Sequence, residues 1–332
     1  MGVRHDFAIV ACENFILATR DVGYAGPAEA IGELIDNSIQ AHATTIRVLI
    51  EDHVTGNGNG VVVSVLDNGC GMKAQALRTA LQFGGTERFN DRSGQGRFGM
   101  GLPSSSLSQA RRLEIYTWTK YGETMYSYLD VDEVAEGRMG EIPAPQKVEL
   151  PDWARRHSGR MGTLVVWRKC DRLANIANSG AENHLRGRIG RMFRYFIWNG
   201  VQIFLNGTLV APIDPLFFRR DTPLSGARIY GNPLTYKFRL PGNRKETSTI
   251  RVRFSELPIA DWHNMAVADK RRWGIVKGAG VSLVRCSAGA HGTTSVIANL
   301  RMASDADCFG ALICTLPRAN AISPGNLTDG AD

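Results

Sequence analysis

The sequence predicts an α+β fold, a sandwich in which helices mix with an antiparallel sheet. Helical and β-branched segments follow one another out of strict strand–helix–strand order, which argues against a parallel sheet. With 332 residues, of which 43% are hydrophobic and 21% charged, the chain can bury a large core. A disordered protein and a small domain held together by disulfides are therefore both excluded.

Composition indicates the compartment but not the partner. The 39 Lys and Arg residues against 32 Asp and Glu give a net charge of +7, which favours acidic partners without identifying one. No apolar run approaches the roughly 20 residues of a membrane span, and the first residues carry no cleavable leader pattern. The six cysteines form no C-x-x-C pair, so reduced thiols are expected. We predict a cytoplasmic protein without a membrane partner.

The first elements are predicted from periodicity and turn residues. A helix begins at Gly26-Pro27 and runs to about His42, because proline is tolerated in a first helical turn. Its buried face comprises Ala30, Leu34, Ile35 and Ser38. The β-branched runs Thr44–Glu51 and Val61–Leu66 are predicted strands, and a second helix follows at Lys73–Phe83. The glycine-rich polar stretch Gly84–Gly101 has no apolar period, which is typical of a lid loop.

Further helices and strands are predicted after the glycine-rich stretch. One long helix is predicted at Glu182–Trp198, ended by Asn199-Gly200. Asn206-Gly207 between two short apolar runs predicts a hairpin. The remaining predicted strands are Arg112–Thr119, Glu123–Val131, Gly162–Arg168, Leu234–Leu240 and Thr249–Phe254.

The first predicted helix carries a carboxylate and an amide on the same face. Glu33 and Asn37 are four residues apart, so both project from one face of the helix. A carboxylate in such a position can act as a general base, and an amide oxygen suits Mg²⁺. Taken alone, the pair is better explained as a solvated helix face.

Asp67 lies at the end of an apolar strand and opens the turn DNGCGM. A buried carboxylate can accept a hydrogen bond from an amino group, and the glycines of the turn allow close backbone approach. An ordinary turn without a ligand is an equal alternative for this motif.

Two further motifs are weak individually. The run GQGRFGMGLPSSS places Gly94, Gly96, Gly99 and Gly101 before a predicted helix, and glycine amides at a helix start suit phosphate. Gly162-Thr163 opens a later strand, where the threonine hydroxyl can reach a base directly or through water. A structural role is the commoner explanation for a Gly-Thr pair at a strand edge.

In this order, the four motifs resemble the ATP-binding domain of the GHKL ATPases, which include DNA gyrase B, the ninety-kilodalton heat-shock chaperones, histidine kinases and MutL. The segments ELIDNSIQAHATTIRV and GRFGMGLPSSS are most similar to the MutL and MORC branches, and the resemblance covers about residues 10–215. It implies a two-layer α/β sandwich, the Bergerat ATP-binding fold, followed by a transducer-like domain of the ribosomal-protein-like β-α-β type.

The resemblance also implies roles for individual residues. Glu33 would activate the hydrolytic water, and Asn37 would coordinate Mg²⁺ on the phosphates of ATP. Asp67 would accept the adenine amino group with help from Thr163, which selects adenine over guanine because guanine carries an oxygen there. The nucleotide-binding set is completed by Gly69, Gly71, Met72, Gly96, Phe98, Gly99, Met100 and Gly101.

The resemblance divides the chain into an ATP-binding domain at 1–180, a linking helix with a transducer-like domain at 181–285, and a divergent or truncated segment at 286–332. This last segment is poor in charged and aromatic residues and has no clear periodicity. Many relatives place a transducer lysine on the γ-phosphate, yet residues 311–321 contain no lysine. The implied function is a weak Mg²⁺-dependent ATPase whose output is lid closure and nucleotide-dependent homodimerisation.

Two alternatives stay open. A nucleotide-gated binding module with negligible turnover, acting on DNA, would use the same pocket. Basic clusters fit DNA, although a solvated basic face is the commoner explanation: Arg155, Arg156, Arg160; Arg186, Arg188, Arg191, Arg194; Lys270, Arg271, Arg272. A histidine kinase is less favoured, because His5 is the only histidine before Glu33 and lies on no predicted helix.

Overall fold

The computed structural model describes residues 10–21, 24, 26–55, 58–85, 99–173, 179–222, 224–240, 243–273, 275, 280–286, 293–298 and 310–317. The chain forms two compact units. The first comprises Met1–Ile189 with Gly200–Val210, and the second comprises Gly190–Asn199 with Ala211–Asp332. The division into domains at residues 180 and 285 stays a prediction.

The first unit is built on an eight-stranded sheet. Its strands are β1 (Thr45–Thr55), β2 (Gly58–Asp67), β3 (Arg112–Trp118), β4 (Met125–Asp130), β5 (Gln146–Lys147), β6 (Gly162–Cys170), β7 (Gln202–Leu205) and β8 (Thr208–Leu209). They pair in the order β5-β4-β3-β6-β2-β1-β7-β8. Every pair is antiparallel except β1 with β7, which run parallel.

Seven helices accompany the strands of this sheet within the described residues. They are α1 (Cys12–Thr19), α2 (Pro27–Gln40), α3 (Ala74–Leu81), α4 (Gly101–Gln109), α5 (Val131–Ala135), α6 (Asp152–His157) and α7 (Ser179–Met192), which runs across the division between the units. Helix α2 contacts α4 and β2, and α4 contacts β3 and β6. The apolar stripe of α2 is buried, as its helical spacing predicts. The two helices that carry most of the predicted motifs therefore lie against the central strands.

The opposite face of the central strands is also covered. Trp118 and Leu164 pack there in a cluster with Ala154 of α6, and the helix-facing and opposite residues of β6 are buried alike from Gly162 to Trp167. A strand buried on both faces reads as a continuous apolar run, which explains the sequence LVVW. The predicted α+β sandwich is confirmed.

The second unit contains a five-stranded sheet in the order β12-β11-β13-β10-β9. Its strands are β9 (Arg228–Leu240), β10 (Asn243–Glu256), β11 (Gly280–Cys286), β12 (Thr293–Ala298) and β13 (Gly310–Pro317), and its helices are α8 (Arg194–Trp198), α9 (Ile259–Trp262) and α10 (Val267–Arg272). The segment after residue 285 thus contributes two strands, although it has no clear periodicity. Its divergence, and the likeness of this unit to a transducer domain, stay predictions.

The predicted helix at Glu182–Trp198 is wrong as a single element. Helix α7 ends at Met192 and α8 starts at Arg194, because Phe193 adopts φ −102° and ψ 13°, outside α-helical geometry. Phe193, Arg194 and Phe196 are all buried in the second unit. Burial of these side chains overrides the helical propensity of the run.

The other predicted helices and strands are confirmed, although β9 and β10 each begin six residues earlier than predicted. The hairpin at Asn206-Gly207 joins β7 and β8, and both residues have positive φ, 47° and 78°, as a type I′ turn requires. Within the described part of the chain, no helix combines the length and the apolar character needed to cross a membrane.

Candidate active site

A cavity of about 380 Å³ in the first unit gathers most of the predicted site residues. This volume falls in the range of small-ligand sites, roughly 300–1,000 Å³. The predicted residues that line it are Glu33, Asn37, Asp67, Gly71, Met72, Gly99, Gly101 and Thr163. Gly69 is absent from the described lining, Met100 lines a neighbouring cavity, and Gly96 and Phe98 lie outside the described residues.

Asp67 is the buried acceptor of this cavity, with only 6% of its surface exposed. Its Oδ1 accepts hydrogen bonds from the backbone N–H groups of Gly69 at 2.8 Å and Thr163 at 3.2 Å. Its Oδ2 accepts from the Ser38 hydroxyl at 3.0 Å. Burial raises the pKa of Asp67 to about 6, although these hydrogen bonds oppose the rise. Three donors thus orient the carboxylate, and Oδ2 keeps acceptor capacity for a ligand.

Strand register places two threonines beside Asp67. Thr163 of β6 pairs with Asp67 of β2 on one side and with Thr117 of β3 on the other. The Thr117 and Thr163 hydroxyls are 3.1 Å apart, and Thr117 Oγ1 accepts from the Met72 N–H at 2.8 Å. The turn after β2 is thereby tied to two neighbouring strands.

Gly71 in this turn cannot be replaced by a larger residue without strain. Its φ of +65° is unfavourable for other residues, and a Cβ would collide with the backbone carbonyl of Trp118. The glycine of the DNGCGM motif is therefore required by the backbone path.

Glu33 lies on α2, where the helix approaches the start of α4. Burial raises the pKa of Glu33, and the nearby Tyr24 hydroxyl opposes the rise. A Cβ on Gly101 would collide with the Glu33 carboxylate, so glycine at the first position of α4 makes room for it. Asp36 lies three residues after Glu33 on the same helix. Burial and then the charge of Glu33 raise the pKa of Asp36 to about 7.

Asn37 is suited to hold a ligand. Its Nδ2 atom is buried without a hydrogen-bond partner, which costs free energy unless a ligand supplies one. The described cavity lining contains two carboxylates and neither lysine nor arginine. A polyphosphate in this cavity therefore needs a cation, and the Asn37 amide oxygen fits Mg²⁺, which takes few protein ligands.

The described residues contain no group of three or more His, Cys, Asp or Glu side chains able to hold a metal ion. A magnesium ion here would consequently rely on Asn37 and on the phosphates of the ligand.

The two ends of the predicted lid meet beside the cavity. The Gly84 N–H donates to the Gly99 carbonyl at 3.1 Å, and Gly99 has a φ of +60°. Residues 86–98, which include most of the predicted lid, lie outside the described residues.

Residues 24–159 match a family model described as "Histidine kinase-, DNA gyrase B-, and HSP90-like ATPase". This segment belongs to the GHKL ATPases. Among curated proteins, the chain is 34% identical over 126 residues to ATPase MORC2B of Mus musculus, covering 37% of this chain and 12% of that protein. It is 34% identical over 140 residues to the DNA mismatch repair protein MutL of Caulobacter vibrioides, covering 39% and 20%.

Human ATPase MORC2 is 31% identical over 129 residues, which cover 38% of this chain and 12% of MORC2. The chain therefore spans at most about a fifth of the length of these relatives. The likeness confirms the GHKL domain and its Bergerat fold, as expected from the order of the motifs.

The GHKL site contains residues that sequence reasoning missed. The Ser38 hydroxyl donates a hydrogen bond to Asp67, and the Thr117 hydroxyl accepts one from the Met72 N–H. Ser38 was assigned only to the buried face of the helix, and Thr117 is an ordinary strand threonine. No local signal marks either residue, because their roles depend on partners 29 and 45 residues away.

The arginines of the predicted long helix are not a solvated basic face. Arg186 pairs with Glu182, Arg188 pairs with Glu29, and Arg194 is completely buried. The structure thus removes this cluster as an argument for DNA binding by this chain.

Proposed function

We propose that the GHKL domain binds ATP with Mg²⁺ and hydrolyses it slowly, and that bound ATP closes the segment 84–101 and brings two copies of the chain together. One observation carries this proposal: an acceptor for adenine, Asp67, and a candidate base, Glu33, lie in one cavity. Asn37 lies one helical turn after the base.

Asp67 would select the base of the nucleotide. With a pKa of about 6, its carboxylate is ionised at neutral pH and can only accept hydrogen bonds. The adenine amino group can donate to the Oδ2 atom, whereas the oxygen of guanine would face a negative charge. The ordered donors Gly69 and Ser38 keep the carboxylate in place before the nucleotide arrives.

Glu33 would activate the attacking water. A general base works best when its pKa is near the working pH, and burial moves the pKa of Glu33 upward in that direction. When bound, Mg²⁺ would neutralise phosphate charge and would be held by the Asn37 oxygen and the phosphates. The unpaired Asn37 Nδ2 would then donate to a phosphate oxygen.

A nucleotide-gated binding module with negligible turnover is the second candidate. Two observations favour slow chemistry: the described cavity lining has no lysine or arginine, and residues 311–321 contain no lysine. Such cations often stabilise the charge that develops during phosphoryl transfer. Whether DNA is a partner, and whether the protein is cytoplasmic, stay predictions.

Phosphate release from Mg·ATP, with and without DNA, tests the proposal. Glu33→Gln should lower turnover at least about 100-fold, since general bases typically contribute 10²–10⁴-fold, and should leave ATP affinity within a few-fold. Glu123→Gln, at an exposed position, is the matched control. Solution mass with a non-hydrolysable ATP analogue should double.

Each outcome has a distinct consequence. Parental turnover in Glu33→Gln would show that the base is wrongly assigned. Nucleotide-dependent dimers without turnover would establish the binding module instead. A protein that binds no adenine nucleotide would contradict both functions.

A further inference from the structure

Thr117 is a completely buried threonine of β3 that lies beside Thr163. Its exposed fraction is 0%, and the described lining of the cavity includes Thr163 but not Thr117. The two residues are opposite each other in the antiparallel ladder of β3 and β6, and their hydroxyl oxygens are 3.1 Å apart. Thr117 can therefore influence a ligand only through its neighbours, among them Thr163.

The hydroxyl of Thr117 has more hydrogen-bond acceptors within reach than it has protons. A hydroxyl group donates one hydrogen bond and accepts up to two. Thr117 Oγ1 accepts from the Met72 N–H at 2.8 Å. Its own proton has two acceptors within reach, Thr163 Oγ1 at 3.1 Å and the Gly162 carbonyl oxygen at 3.2 Å. The pair of threonine hydroxyls therefore has two proton arrangements.

The two arrangements present different groups to the cavity. When Thr117 donates to the Gly162 carbonyl, the Thr163 proton is directed to Thr117 Oγ1, and the cavity meets a lone pair. When Thr117 donates to Thr163 Oγ1, the Thr163 proton is left to donate into the cavity. The direction of one buried hydrogen bond thus decides whether Thr163 offers the cavity a donor or an acceptor.

We propose that Thr117 is a positioning residue for base recognition: it donates to Thr163 Oγ1 and so directs the Thr163 proton toward the ring nitrogen N1 of adenine, directly or through one water. This inference rests on the proposed binding of adenine at Asp67. In adenine, N1 is adjacent to the carbon that carries the amino group, has no hydrogen and needs a donor. Thr163 is the neighbour of Asp67 in the cavity lining, because its backbone N–H donates to Asp67 Oδ1 at 3.2 Å.

A base that carries a hydrogen on N1 requires the opposite arrangement. Hypoxanthine and guanine carry one, so Thr163 would have to accept, and its proton would turn back to Thr117. The Thr117 proton would then turn to the Gly162 carbonyl. With adenine, each hydroxyl instead passes its proton toward the ligand. Hydrogen bonds in such a chain strengthen one another, so the Thr117 hydroxyl should strengthen the bond from Thr163 to N1.

Thr117 also has a role that does not depend on N1. Met72 lines the cavity, and its N–H donates to Thr117 Oγ1. Loss of the hydroxyl removes this acceptor whichever nucleotide is bound. The effect through Thr163 depends on N1 alone, so two nucleotides that differ only at N1 separate the two roles.

The test is calorimetric titration of Thr117→Val with Mg·ATP and with the magnesium complex of 1-deaza-ATP, in which a C–H group replaces N1. Valine has the shape of threonine but no hydroxyl. We expect the dissociation constant for ATP to rise about fivefold more than that for 1-deaza-ATP, which is within the usual net contribution of one hydrogen bond. Thr117→Ser keeps the hydroxyl and should restore the parental preference for ATP.

Thr222→Val is the control, because it removes another buried hydroxyl, which donates to the Arg219 carbonyl oxygen in the second unit. It should lower the thermal stability without changing either dissociation constant. Circular dichroism checks that each variant folds. If Thr117→Val does not fold, Thr117→Cys provides the same comparison, because a thiol is only a weak donor and acceptor.

The outcomes separate this role from the proposed function. Equal losses for ATP and 1-deaza-ATP would show that Thr117 acts only on the turn at Met72, and unchanged affinities would show no role at all; either result overturns the inference. Failure of Thr117→Ser to restore the preference would also overturn it. A parental protein that binds both nucleotides equally has no contact to N1, which overturns the inference while the function stands. A parental protein that binds neither overturns both.

Discussion

The first unit buries two groups of carboxylates in opposite electrostatic surroundings. In the first group, burial raises the pKa of every member, and none forms an ion pair within the described residues: Glu33, Asp36 and Asp67. The second group lies around the ends of β3, β4 and β6, where carboxylates alternate with cations: Arg111, Arg112, Glu114, Asp130, Asp132, Glu133, Arg168 and Lys169. We refer to this second group as the ionic network.

Within the ionic network the pKa values move the other way. Burial alone would raise the pKa of Asp130, but hydrogen bonds from Lys169 and Arg112 outweigh it and lower the pKa. The hydrogen bond from Arg111 lowers the pKa of Asp132. A compensated acid supports the fold, whereas an uncompensated one costs stability. Two of the uncompensated acids, Glu33 and Asp67, line one cavity, which is an argument for ligand binding.

The largest effect is expected from Asp130→Asn in the ionic network. Asp130 Oδ2 accepts from Lys169 at 2.9 Å and Arg112 at 3.2 Å, so neutralising it leaves both cations without this partner. We expect the free energy of unfolding to fall by about 2–3 kcal/mol, somewhat below the range for a fully buried pair because Lys169 is half exposed. Urea unfolding of the parent and the variant measures this change in the free energy of unfolding. A change below about 0.5 kcal/mol would mean that the network does not support the fold.

Asp67→Asn should have a smaller effect in free energy, and the effect should be on ATP affinity rather than on the free energy of unfolding. The amide would present a donor to the adenine amino group, so ATP affinity should fall about 10- to 30-fold, equivalent to about 1.4–2 kcal/mol. Inosine triphosphate carries an oxygen in place of the amino group, so the substitution should weaken its binding less than it weakens the binding of ATP. Calorimetric titration with both nucleotides measures the difference. Equal losses for the two would contradict the assignment of Asp67 to the base.

Asp36→Asn tests the pH dependence that separates the two groups. Because the pKa of Asp36 is raised to about 7 in the folded state, the ionised group costs stability, and this cost grows as pH rises from about 4 through 7. Removing the charge should stabilise the protein by about 1 kcal/mol at pH 8 and by nothing near pH 4. Asp130 and Asp132 act oppositely, since their contribution is lost only as pH falls through their lowered pKa values.

Thermal unfolding of Asp36→Asn at several pH values measures this dependence. The same increment at pH 4 and pH 8 would show that Asp36 is not an uncompensated buried charge.

Asp152→Asn should have the smallest effect. Asp152 pairs with Arg155 on the surface, and their side chains are 81% and 54% exposed. Solvent screens such pairs, so we expect the free energy of unfolding to change by less than about 0.5 kcal/mol in denaturant titration. A loss comparable to that of Asp130→Asn would mean that burial does not distinguish the ionic network from ordinary surface pairs.

Much of the fold could be predicted from local sequence. The helix at Pro27–Gln40 follows from an apolar stripe and a proline in the first turn, and the β7–β8 hairpin follows from Asn206-Gly207. The break at Phe193 could not be predicted, because it depends on burial of side chains that periodicity treats as one helix face. Local rules failed where tertiary packing set the geometry.

In the candidate site, too, some residues are brought together by local sequence and others only by tertiary structure. Glu33 and Asn37 share a helix face, so their proximity is local, whereas Thr163 reaches Asp67 across a sequence separation of 96 residues. Only the strand order β3-β6-β2 brings Thr117, Thr163 and Asp67 into one row. The Tyr24 hydroxyl likewise comes within 3.4 Å of the Gly101 carbonyl oxygen across a sequence separation of 77 residues.

The sequence by itself determined the order of the elements and the chemical types in the motifs, because periodicity and turn residues act over a few positions. The tertiary structure decided which carboxylates stay without a cation and which are paired. That outcome depends on which groups folding brings within a few ångströms and removes from water, and both effects act across the whole first unit.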